Sequence, residues 1–167
     1  MTEENNNSEA QAAGNAGQVQ FALQKIYLRD LSFEAPLGAE AFRQQWQPKI
    51  NQDLNTAVNQ IEEGLYEVII KLTINVTLAE GDKTVFLVEV QQAGLFAIKG
   101  AEGPQLAHIL NTACPNILFP YVREVIDNCA IKGAFPALSL PPINFEALFA
   151  RAVQEAQKRQ AADAPLN

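Results

Sequence analysis

His108, Cys114 and Cys129 are the residues whose types could supply a nucleophile and its base, since an imidazole within hydrogen-bond reach of a thiol favours the thiolate. Their placing speaks against that use. Helical spacing of Leu106, Ile109, Leu110 and Ala113 sets His108 roughly 160 to 200° from Leu106 and Leu110, at about 100° per residue, among Gln105, Asn111 and Thr112 on the polar face. Cys114 stands at a junction before Pro115, and Cys129 lies on an apolar stripe where a free thiol behaves as a small hydrophobe. With a single histidine and two cysteines fifteen positions apart, tetrahedral zinc lacks ligands. No GxSxG, P-loop, GxGxxG or HExxH spacing occurs. The chain is expected to use no catalytic residue, metal or cofactor. A thiol enzyme built on His108 and Cys114 is the minor alternative.

Binding is the better-supported chemistry, and two kinds of residue suggest it. Phe33, Pro36, Leu37, Phe42, Trp46 and Pro48 form one apolar stretch outside regular structure, and Phe135, Pro136, Leu138, Leu140, Pro141 and Pro142 form another. Single aromatics of this kind pin a loop to the body; two such loops together can wall a groove that accepts varied apolar side chains. The second kind is acidic. Asp30 and Glu34 share one strand face about 13 Å apart at ~3.3 Å per residue, while Glu89 and Leu87 face outward from another strand. Were those strands neighbours, three carboxylates would cluster and suit a cationic partner.

The elements that position these residues follow from hydrophobic period. Tyr66, Val68, Ile70, Leu72, Ile74, Val76 and Leu78 alternate with mostly polar residues and predict a strand with one buried face. A turn over Ala79 to Lys83 leads into a second strand on Phe86, Val88, Val90, Phe96 and Ile98, giving a hairpin. Phe21 to Phe33 predicts a further strand, its imperfect alternation pointing to a bulge near Lys25 or Arg29. Ile50, Leu54, Ala57, Val58 and Ile61 fit a helix better by spacing. Beyond Gly103 and Pro104 the period becomes helical. One helix carries Leu106 to Ala113, and a second follows Pro115, interrupted by Pro120 and ended by Lys132 and Gly133. A third, capped by Asn144, presents Phe145, Leu148, Phe149, Ala152, Val153 and Ala156 on one face. Strands first and helices afterwards imply an α+β architecture.

Length and composition fit one domain: 167 residues, 48% apolar and 19% charged, support a single core without disulfides. A net charge of -7 with no basic block argues against nucleic-acid binding. No apolar run of seven precedes Lys25 and none approaches the ~20 residues of a bilayer span, so neither a signal peptide nor membrane insertion is expected. Reduced cysteines suit a cytoplasmic protein. Residues 1–18 read as a mobile tail, 19–156 as the folded body and 157–167 as a fraying helix end and second tail.

Several long motifs together resemble the SecB family of bacterial export chaperones. They are Lys25-Ile-Tyr-Leu-Arg-Asp-Leu-Ser-Phe-Glu-Ala-Pro36, Trp46-Gln-Pro48, Phe86-Leu-Val-Glu-Val-Gln-Gln-Ala-Gly94, Cys114-Pro-Asn-Ile-Leu-Phe-Pro-Tyr-Val-Arg-Glu124, Phe135-Pro136 and Pro142-Ile-Asn-Phe-Glu-Ala-Leu-Phe149. The resemblance covers about residues 20 to 150 and implies a four-stranded antiparallel sheet of order 1-4-3-2, with helices on one face and Ile50 to Ile61 as the second strand. It implies a homotetramer, a dimer of dimers, that holds unfolded preproteins without ATP and delivers them to the export ATPase SecA. Asp30, Glu34, Leu87 and Glu89 match the family positions that contact SecA, whose basic, zinc-carrying tail is then the cationic partner. Trp46, with Phe33, Phe42 and Phe135 and, from the helix side, Leu118 and Tyr121, corresponds to the preprotein groove. A SecB-like chaperone serving a toxin-antitoxin pair is the alternative within the family, and the acidic positions favour export.

Overall fold

The computed structural model describes residues 17–78 and 83–162. Strands β1 (Gln20–Glu34), β2 (Pro48–Glu62), β3 (Leu65–Leu78) and β4 (Thr84–Lys99) make one antiparallel sheet in the order β1-β4-β3-β2. Helices α1 (Gly103–Asn111), α2 (Ala113–Lys132) and α3 (Phe145–Ala162) follow, and a 3-10 turn at Gly38–Arg43 lies in the β1-β2 connection. This is the expected α+β arrangement, with helices against one face of the sheet.

The alternation in β3 and β4 explains the layering. Val68, Ile70, Leu72, Ile74 and Val76 of β3 and Phe86, Val88, Phe96 and Ile98 of β4 all point to the helix side and are buried there. α2 covers them with Leu118, Val122 and Ile126. α2 approaches the sheet closely at Gly94, where an added Cβ would lie 2.8 Å from Leu118 Cδ2 and 2.7 Å from Phe96 Cε2. α2 continues through Pro120, whose ring nitrogen cannot donate to the carbonyl four residues earlier. Thr112 separates α1 from α2, its hydroxyl donating to the His108 carbonyl at 2.7 Å. Asn144 caps α3 as expected, Oδ1 accepting the Ala147 N–H at 2.9 Å.

Two sequence expectations need adjustment. Spacing alone favoured a helix over Ile50 to Ile61, yet the segment is β2, paired with β3 from Pro48 to Glu62. The cause is that Ile50, Leu54 and Val58 recur every fourth residue, which satisfies both a helical face and the even positions of a strand; pairing with β3 then decides. α3 carries on past residue 156 to Ala162 as an exposed helix end, the Gln, Glu, Lys, Arg and Ala side chains there supporting a helix without burial. The expected bulge in β1 is double: register shifts fall between Leu23 and Lys25 and between Leu28 and Asp30. Residues 79–82 of the β3-β4 turn, 1–16 of the first tail and 163–167 of the second lie outside the described residues.

Candidate functional site

Phe135 is the pivot of an aromatic cluster at one end of the sheet. It is buried against Phe86 of the core, with ring centroids 4.9 Å apart. On its other side it stacks with Phe42 at 5.2 Å and Trp46 at 5.7 Å, both from the β1-β2 connection. Phe33 joins through Phe86 at 5.8 Å. A hollow of about 240 Å³ opens beside this stack, lined by Ala41, Phe42, Gln44, Trp46, Ala134, Phe135 and Pro136. Phe42 is 57% exposed at its rim. Burial of this aromatic carbon by a ligand is the favourable step the hollow offers, at about 25 cal/mol per Å² removed from water.

Local backbone chemistry holds the second wall. At the end of α2 the Ala134 and Phe135 N–H groups donate to the carbonyls of Ile131 and Ala130, both at 2.9 Å. Ala134 and Ser139 adopt left-handed conformations, φ 63° and 50°, which cost non-glycine residues free energy. Asp127 offsets this by accepting the N–H groups of Leu138 and Ser139 on one oxygen at 2.9 and 3.0 Å. Gly133 has no Cβ for a steric reason: one would sit 2.6 Å from Phe33 Cζ.

Of the six sequence-assigned groove residues, Phe42, Trp46 and Phe135 come together in the hollow, and Phe33 stands behind it. Leu118 is fully buried beneath the sheet, and Tyr121 is exposed on α2 without lining the hollow. Ala41, Ala134 and Gln44 line it too; no feature of their residue types singles them out.

The opposite face of the sheet carries the acidic residues. Register puts Glu34 beside Leu87, Ser32 beside Glu89 and Asp30 beside Gln91, so Asp30, Glu34, Leu87 and Glu89 share one face. The bulge at Arg29 is responsible for part of this: in an unbroken strand Asp30 would follow Leu28 to the helix side. The next strands contribute residues that sequence order concealed. Asp30 and Glu89 border a shallow hollow of about 240 Å³ with Asp53 and Asn55 from β2 and Lys71 and Thr73 from β3.

Further along this face, the Glu67 carboxylate gathers donors from two other strands: the Tyr27 phenol, Arg29 Nη1 at 3.0 Å and Asn59 Nδ2 at 2.8 Å. The Tyr27 hydrogen bond, followed by that of Asn59, holds Glu67 below the usual carboxylate range. The same bond raises the Tyr27 phenol.

The thiols and the histidine are apart in their chemistry. His108 Nε2 lies 2.8 Å from Glu146 Oε2, joining α1 to α3, and the ring meets Phe149 edge-on at 5.7 Å. Burial pushes the Cys114 thiol up to about 12 and also raises Cys129. Among the described residues no group of three or more His, Cys, Asp or Glu is placed to hold a metal ion, and no helix is long and apolar enough to cross a membrane.

The helix-backed sheet thus carries an aromatic hollow at its end and a set of carboxylates on its opposite face. The same fold occurs in the SecB-like chaperone of Mycobacterium tuberculosis, solved in complex with a peptide from the HigA1 antitoxin; the TM-score is 0.60 at 17% identity over 74% of this chain and 91% of that one. The chain belongs to the family of the preprotein translocase subunit SecB, whose model matches residues 14–156. It is 55% identical to the protein-export protein SecB of Cellvibrio japonicus over 95% of this chain and 93% of the relative, and 51% identical to that of Marinobacter nauticus over 92% and 93%. It is a protein-export chaperone.

Proposed function

We propose that the chain is an ATP-independent holdase of the cytoplasm, binding unfolded preproteins in the aromatic hollow and passing them to SecA through the acidic face. The observation that carries the reading is the split between the two surfaces: exposed aromatic carbon stacked on Phe135 on one side, and the Asp30, Glu34 and Glu89 carboxylates flanking Leu87 on the other. Unfolded chains expose the large side chains that fill such a hollow, and each one fully buried contributes roughly 1.5 to 3 kcal/mol. Folded proteins hide theirs, so selectivity for non-native clients follows from exposure. The zinc in this scheme belongs to SecA's basic tail.

A homotetramer, assembled as a dimer of dimers, completes the reading. Phe21, Leu23, Leu28 and Leu31 on the helix side of β1, with Tyr121 and Ile131 on α2, are large apolar groups left exposed in the single chain. Repetition of the hollow over four subunits lets one client occupy several sites, raising affinity through effective concentration. A binding role without catalysis is consistent with the engagement of His108 by Glu146 and the suppressed thiolate of Cys114. Export, rather than service to a toxin-antitoxin pair, is favoured by relatives named for export that are 50 to 55% identical.

The test is capture of a denatured protein, followed by native mass. Trp46→Ala is expected to weaken capture while the oligomer stays whole; undiminished capture removes the hollow from client binding, and a monomeric mass in the unmutated protein refutes the assembly.

A further inference from the structure

Arg29 is the residue that the second bulge of β1 leaves without a partner in β4. It is followed immediately by Asp30, yet its guanidinium pairs with neither Asp30 nor Glu89. It reaches instead to Glu67 on β3, two strands away in the sheet, at 3.0 Å. Glu67 is held by Tyr27 and Asn59 as well, and its side chain is only 12% exposed. The carboxylate therefore has two donors besides Arg29 that hold it in place.

The hollow beside this network is charge-unbalanced. Asp30, Asp53 and Glu89 border it, with Lys71 as the one cationic residue in its lining. Among the described residues none of these three carboxylates lies within 4 Å of a basic nitrogen. A free arginine at position 29 would alter that balance. Its planar guanidinium offers five donors in a fork suited to carboxylates, and on a flexible stem it would compete with any incoming basic side chain.

We propose that Glu67 is a positioning residue for docking of the cationic partner: it sequesters Arg29, so that Asp30 and Glu89 remain uncompensated for the partner's lysine and arginine side chains. This inference rests on the reading of the acidic face as the docking surface for the basic SecA tail. The bulge serves both ends of the arrangement, turning Asp30 outward and releasing Arg29 from the β1-β4 pairing.

Titration calorimetry of the full chain with SecA, at low and at about 0.5 M salt, tests it. At low salt Glu67→Gln is expected to bind about two- to five-fold more weakly, the range of an exposed ion pair, and the difference fades at high salt. Arg29→Gln binds at least as tightly as the unmutated chain, and Glu67→Gln with Arg29→Gln recovers the lost affinity, because no free guanidinium remains. A double variant as weak as Glu67→Gln alone assigns Glu67 a merely structural role and overturns the proposal. Asp30→Asn separates the two readings. If it weakens SecA binding while Glu67→Gln does not, sequestration falls and the docking face stands; if it leaves binding unchanged, the docking face itself falls.

Discussion

Trp46 stacks on Phe135 with ring centroids 5.7 Å apart, so an aromatic of the β1-β2 connection is supported by one that the core holds in place. The wall of the hollow therefore depends on the buried ring of Phe135 for its support. Removing the outer ring and removing its support have different consequences. Phe135→Ala is expected to destabilise the chain by about 3 to 5 kcal/mol, as for a buried aromatic, and to weaken client capture. Phe42→Ala, at the exposed rim, weakens capture with a loss below about 1 kcal/mol in stability. Chemical denaturation paired with client binding distinguishes them, and equal stability losses would contradict the assigned burial.

The acidic face is expected to act independently of the hollow. Asp30→Lys combined with Glu89→Lys reverses two charges on one face and should abolish SecA binding while denatured clients still bind. Full SecA affinity in low salt would remove this face from recognition.

Glu67 makes stability depend on acid. Its carboxyl lies below the ordinary value of 4.5, so its contribution is complete above that pH and disappears as pH falls through the depressed folded value. Glu67→Gln, which cannot ionise, is expected to cost about 1 kcal/mol near neutrality, and progressively less below pH 4.5. Tyr27 behaves in the opposite sense: its raised value gives stability that is present below pH 10 and lost as pH climbs through the folded value. Denaturation midpoints of both forms against pH check these signs. A gap that widens on acidification would contradict the Glu67 assignment.

Asp127 anchors the loop after α2 by two backbone bonds. Asp127→Ala is expected to lose about 1 to 2 kcal/mol and to speed hydrogen exchange at the Leu138 and Ser139 amides. Asp127→Asn retains an acceptor oxygen and preserves most of the protection. Unchanged exchange in the alanine variant would show that the loop is held by Phe135 and Leu140 alone.

Much of this architecture is legible in the chain because alternation and burial coincide in β3 and β4, and the motifs that carry the family resemblance imply the strand order. Asp30, Glu34, Leu87 and Glu89 were placed together by that order, and the register brings them to one face. The nearness of Asp53 to Asp30 is not legible in the sequence because it depends on the full four-strand register, which composition does not encode. The Glu67 network was hidden for a related reason: Tyr27, Arg29 and Asn59 come from two other strands, and a bulge decides where Arg29 goes. The family resemblance puts Leu118 on the helix side of the groove, whereas in the single chain it is fully buried against Gly94.

The sheet order leaves β2 as an outermost strand, fifteen residues long, with unsatisfied backbone groups along its free side. A molecule that handles sticky polypeptides risks becoming a template for fibre growth along such a margin. Pro48 lacks an N–H there, and Lys49, Asp53 and Glu62 would bring like charges into apposition if copies stacked in parallel register. Proline and repeated charge are the devices by which a free strand margin is kept from templating another chain.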